Sequence, residues 1–183
     1  MKTKTISILL FGLLIYFTSF AQHSPKEWLQ VEAGVLTTIA PDPGAYLEVS
    51  YHKESESNSL QFGYRYAFTS HVTKRPGEKF NFIFGKMPLY KSHSRFFRLE
   101  WMVGSAFVWG TIRGDELQRG STGGVFSVDE YQKEDFLSAG LETNLSVYGI
   151  VFNRVALGLN CWTHLNFERQ MVGLGLHISG GKF

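Results

Sequence analysis

Cysteine occurs once, at Cys161, which excludes an intramolecular disulfide and any zinc site built on several thiolates. The six histidines, His23, His52, His71, His93, His164 and His177, are scattered without the paired spacing of metal sites. There is no P-loop, and Gly173-x-Gly175 sits in a strand-like stretch, not at the strand-to-helix turn that a dinucleotide fingerprint requires. These absences leave no cofactor or metal to assign. After residue 21 no apolar run is long enough for a transmembrane helix, and no segment has helical periodicity. A transmembrane strand gives a far weaker hydropathy signal, so the first absence does not make the chain soluble.

Excess charge is missing too. Lys2 and Lys4 flank an apolar stretch from Ile6 to Phe17, followed by Ser19-Phe20-Ala21, the plan of a secretory signal peptide cut after Ala21. No cysteine follows the apolar stretch to accept a lipoprotein anchor. Without Lys2 and Lys4 the remaining chain holds 16 basic and 16 acidic residues, so nucleic acid is not an expected partner. The expected organisation is a cleaved leader, 1–21, and one domain, 22–183.

What fills that domain is alternation. Eight segments, 28–39, 45–52, 60–68, 80–86, 96–109, 136–148, 154–164 and 171–179, repeat with the period of a β-strand. Turn chemistry separates them: PDPG at 41–44, KESESN at 53–58, RPGE at 75–78 and GSTGG at 120–124. In LQFGYRYAF, Leu60, Phe62, Tyr64, Tyr66 and Phe68 share one face, with Gln61, Gly63, Arg65 and Ala67 on the other. Over all eight segments one face carries no charge; Phe80, Phe82 and Phe84 are assigned to it in the fourth. The other face mixes Glu32, Glu48, Arg65, Arg98, Glu100, Glu142 and Arg154 with repeated glycines.

Glycine weakens a strand unless something packs close to it. The concave side of a small barrel supplies that crowding, because small residues must alternate with large ones there. The sidedness is therefore inverted, with the apolar face outside. A soluble lipocalin-like carrier would need the opposite, and burying its glutamates in an apolar lumen would be costly. The expected fold is all-β: a closed antiparallel eight-stranded transmembrane up-and-down barrel, since an open sheet edge cannot be left in hydrocarbon.

Eight strands place both termini on the periplasmic side. Turns 53–58, 87–94 and 149–153 then lie there, and connections 40–44, 69–78, 110–134 and 165–169 lie outside. Tyr51, Tyr64, Tyr66, Trp101 and Trp109 are candidates for interfacial belts. With its leader, its eight alternating segments and a terminal VGLGLHISGGKF, the chain resembles the small OmpA/OmpX-type outer-membrane barrels of Gram-negative bacteria. It is similar also, in form and length, to small conjugative-transfer outer-membrane proteins. The first resemblance implies outer-membrane lipid as solvent and Phe183 as the signal read by the barrel-assembly machinery. Phe183 is out of phase with Val172, Leu174, Leu176 and Ile178, and a bulge at Gly180-Gly181 is expected to restore it.

Glu32, Glu48, Arg65, Arg98, Glu100 and Glu142 are expected to form a polar network filling the lumen, which at eight strands is only just wide enough for its side chains. A narrow gated pore is the functional alternative. The long connection 110–134, with Arg113, Asp115, Arg119, Phe126 and Tyr131, is the candidate contact surface for an extracellular ligand or protein. No catalytic residues are assigned. Ser70-His71, and His164 with Asp129 or Glu168, are the nearest approach to a lipid-modifying enzyme, and no His-x-Ser-Asn motif accompanies them. An integral barrel with a structural or surface-interaction role is the reading that results.

Overall fold

The computed structural model describes residues 26–39, 42–54, 59–70, 74–94, 96–118, 129–152 and 154–182. The leader, Arg119, Phe126, His71 and Phe183 lie outside the described residues.

The strands are β1 (Lys26–Thr38), β2 (Pro43–Glu54), β3 (Ser59–Thr69), β4 (Lys74–Arg75), β5 (Lys79–His93), β6 (Phe97–Gln118), β7 (Asp129–Phe152), β8 (Val155–Leu165) and β9 (Met171–Gly181). Leaving out the two-residue β4, eight antiparallel strands pair in sequence order, and β1 pairs with β9 from Trp28↔Gly181 to Thr38↔Met171. The sheet is thus a closed barrel with no free edge around its wall. β4 runs parallel to the start of β7 and broadens a hairpin made by the outer parts of β6 and β7.

Alternation turns the expected apolar face outward in all segments but one. Val35, Leu47, Phe62, Phe107, Leu141 and Leu176 are exposed, while Glu32, Glu48, Arg65, Arg98, Glu100 and Glu142 are each at most 3% exposed. The outward apolar run on β7 from Leu137 to Val147 rises roughly 25 Å along the axis at the usual strand tilt.

The exception is β5. Phe80, Phe82 and Phe84 point into the lumen, and Asn81, Ile83 and Gly85 point out. Register decides this: Tyr64 pairs with Ile83 and Arg65 with Phe82, and directly paired residues share a face. The segment has phenylalanine on one face and isoleucine on the other, so its apolar content does not orient it. Lys86, in phase with the three phenylalanines, carries the usable signal, because Glu32, Glu48, Arg65, Arg98, Glu100 and Glu142 all lie on the lumen face of their strands.

Two boundaries and one expected bulge differ from the sequence reading. β5 continues to His93, so the connection shrinks from 87–94 to a tight turn in which Ser94 N donates to Phe97 O (2.8 Å). A register shift between Pro88 and Tyr90 breaks the alternation that would have revealed this extension. Much of 110–134 is not loop: β6 and β7 stay paired to Gln118↔Glu130 through two register shifts. Finally, β9 pairs without interruption through Gly180 and Gly181, so the expected bulge is absent.

Candidate functional site: the lumen and its two mouths

Large interior side chains are seated against glycines. A Cβ on Gly34 would come within 2.7 Å of Tyr46, one on Gly63 within 2.8 Å of Phe84, and one on Gly173 within 2.6 Å of Trp162. These absent side chains make room for an aromatic interior of Tyr46, Phe80, Phe82, Phe84 and Trp162, packed with Leu36, Val108 and Met171.

Within it lies a balanced ion cluster. Arg65 Nη2 donates to Glu48 Oε2 (2.5 Å) and Glu142 Oε1 (2.9 Å), and Lys86 Nζ donates to the same Glu142 oxygen (3.0 Å). All four side chains are fully buried. The guanidinium lies 3.7 Å from the Trp162 ring centroid, and the Lys86 ammonium 4.0 Å from that of Phe84. Glu32 is held separately by Tyr46 Oη, by Gln30 Nε2 (3.1 Å) and by Asn160 Nδ2 (3.0 Å to each oxygen).

Within the network, Glu48 and Arg65 are paired directly. Arg98 and Glu100 belong to a second cluster at the end of the barrel where β1 begins and β9 ends. There Lys91 Nζ donates to Glu54 (2.9 Å), Arg98 lies 3.3 Å from Glu54, and Glu100 lies 3.7 Å from Arg98. A third cluster closes the opposite, hairpin end. Arg169 pairs with Glu78 (2.8 Å), and Arg113 pairs with Asp42 and lies 3.8 Å from Glu78.

This last placement corrects a sequence expectation. Arg113, proposed as an exposed loop contact, is pinned inside the mouth because β6 extends past it. Asp115 is exposed and Tyr131 half-buried. His164 likewise differs: its ring faces Glu142 (3.9 Å) and Asn166 (3.0 Å), not Asp129 or Glu168. Among the described residues no three of His, Cys, Asp and Glu converge as a metal site. Lys86, Glu54, Lys91, Asp42, Glu78 and Arg169 are the network members that the sequence reading missed.

On the outer wall, polar tips find protein partners. Tyr64 Oη donates to Asn81 Oδ1 (2.7 Å), Asn81 Nδ2 to the Trp109 carbonyl (3.3 Å), and Trp101 Nε1 to Thr143 Oγ1 (2.8 Å). Tyr51, Tyr64, Trp101 and Trp109 are exposed, and Tyr66 is half-buried. Cys161 also faces outward.

A closed eight-stranded barrel with a charged lumen and an apolar wall is the fold of the small OmpA/OmpX-type membrane barrels. Solved structures agree. The chain is similar to Neisserial surface protein A (NspA), with TM-score 0.61, 11% identity, and 88% of this chain and 100% of that one covered. It is similar also to Ail, the attachment invasion locus protein of Yersinia pestis, at TM-score 0.50, 9% identity and 85% and 98% coverage. The N-terminal β-barrel domain of Pseudomonas aeruginosa OprF gives TM-score 0.50, 9% identity and 86% and 98% coverage. No family model matches the sequence, and no curated protein does.

Proposed function

We propose that the chain is an integral outer-membrane barrel whose interior is a structural plug and whose working surface is the hairpin end, facing outward from the cell. The observation that carries this reading is the inverted sidedness. Fully buried Arg65, Glu48, Lys86 and Glu142 lie inside a wall of exposed Leu, Val, Ile and Phe. Water would not tolerate so large an apolar exterior on a monomer, whereas bilayer hydrocarbon requires it.

Short turns at the termini end and a long β6–β7 hairpin at the other match the asymmetry of such barrels, with short periplasmic turns and longer external loops. The hairpin supports a surface-interaction role. It raises Asp115, Glu116 and Tyr131 above the mouth on a paired, semi-rigid ribbon.

The test is an outer-membrane fraction run in SDS with and without boiling. A heat-dependent change in migration is expected; a periplasmic protein with no shift would overturn the reading. Deleting 115–130 should then spare the shift and abolish any partner binding at the cell surface. Binding that survived the deletion would move the site elsewhere.

A further inference from the structure

A hydroxyl facing hydrocarbon is costly until it finds a protein partner, because lipid tails offer it nothing to bond. Ser105, on β6, is exposed on the outer wall. It pairs with Leu141, and Leu141 and Thr143 are the middle members of the outward run from Leu137 to Val147. The Ser105 hydroxyl therefore stands near mid-depth of the apolar belt, and among the described residues it has no hydrogen-bond partner. Thr143, diagonal to it on β7, is only partly satisfied. Trp101 Nε1 donates to Thr143 Oγ1 (2.8 Å), and that hydroxyl donates to the Met102 carbonyl (2.9 Å). One acceptor lone pair on Oγ1 is left over.

Register sets the depth of both groups. The row of directly paired residues that leaves β7 at Asp135, through Thr111, returns to β7 through Cys161 at Leu145, ten residues further along the strand. Each strand crossed thus shifts the row by about one and a quarter residues, which leaves Ser105 and Thr143 within about 2 Å of one height. Two copies inserted the same way share that height. A two-fold axis along the membrane normal, passing between β6 and β7, then sets Ser105 of each copy against Thr143 of the other. Both side chains are small, so the two walls can approach closely there.

We propose that the outer faces of β6 and β7 form a two-fold interface with a second copy of this chain inside the membrane. In it the Ser105 hydroxyl of each copy donates to Thr143 Oγ1 of the other. An acyl chain has no acceptor to offer, and a different protein would have to carry one at the same depth. A second copy brings it there automatically, because the free donor and the free acceptor sit side by side on one wall. The inference rests on the membrane reading above.

The test uses the full mature protein in phosphatidylcholine vesicles, first shown to be heat-shifted on gels. Cys161→Ser removes the native thiol, and either Ser105→Cys or Ala33→Cys is added to it. Ala33 is exposed on β1, four strands around the barrel from β6. Oxidation with copper phenanthroline should join the Ser105→Cys protein into dimers about tenfold faster than the Ala33→Cys protein, since a standing contact raises the effective thiol concentration. Förster transfer between copies labelled at the amino terminus, followed as lipid is added, should show association in the parent. Ser105→Val, which removes only the hydroxyl, should weaken it about three- to tenfold. Equal cross-linking at the two positions would mean random collision and overturn the inference. So would absence of transfer in the parent, or a Ser105→Val protein that associates as the parent does; each leaves the membrane reading intact. Loss of the heat shift in the parent protein would overturn both.

Discussion

Glu142 is the residue on which the interior turns. Its carboxylate takes Arg65 and Lys86 from β3 and β5 at once, so truncating it leaves buried Lys86 without its carboxylate and Arg65 with Glu48 alone. Glu142→Ala is expected to destabilise the barrel by about 3–5 kcal/mol, the usual cost of leaving a buried charge unpaired. Urea unfolding in detergent, followed by tryptophan fluorescence, would measure it. Adding Lys86→Met should recover part of that loss, because Arg65 still keeps Glu48. A double variant no better than the single would mean that Lys86 and Glu142 are not coupled. The outer wall obeys the opposite rule. Ile83→Arg, at a position that faces lipid, should cost about 2–4 kcal/mol if it lies near the midplane, because a charge is then carried into hydrocarbon. If Ile83→Arg left stability unchanged, the orientation of β5 would have to be reconsidered.

At the scale of the element, the glycines set how the strands pack. Gly34 pairs directly with Gly175 across the β1–β9 seam, and a Cβ on Gly34 would come within 2.6 Å of the facing Cα. The gap admits Tyr46, whose hydroxyl reaches Glu32. Gly34→Val is therefore expected to strain the strands that close the barrel. A loss of about 1–3 kcal/mol, with a lower yield of heat-shifted protein, is the expected outcome. Ribbon strength matters at the other end. β6 and β7 stay paired far beyond the barrel wall, and two register shifts let the ribbon twist away from it. Neither the ribbon nor the extension of β5 to His93 was readable, because polar residues occupy both faces of the first and Pro88 interrupts the second.

For the whole molecule, three ion clusters are stacked along the lumen, one at each mouth and one between, with the aromatic layer of Phe80, Phe82 and Trp162 beside the central one. Such a filled interior predicts no measurable single-channel conductance in planar bilayers for the parent protein. Steady conductance that changes with Glu142→Ala would replace the plug with a gated pore.

Strand alternation, the charge-free face and the glycine-rich charged face were sufficient by themselves to give an all-β barrel with its apolar side outward. They sufficed because period-two patterning is local and the membrane acts on every strand alike. The facing of Phe80, Phe82 and Phe84, the choice of Lys86 as partner for Glu142, and the withdrawal of Arg113 into the mouth were decided only by tertiary structure. Each depends on register between strands, a quantity no single segment contains. Where both faces of a strand are apolar, as in β5, the neighbouring strand chooses.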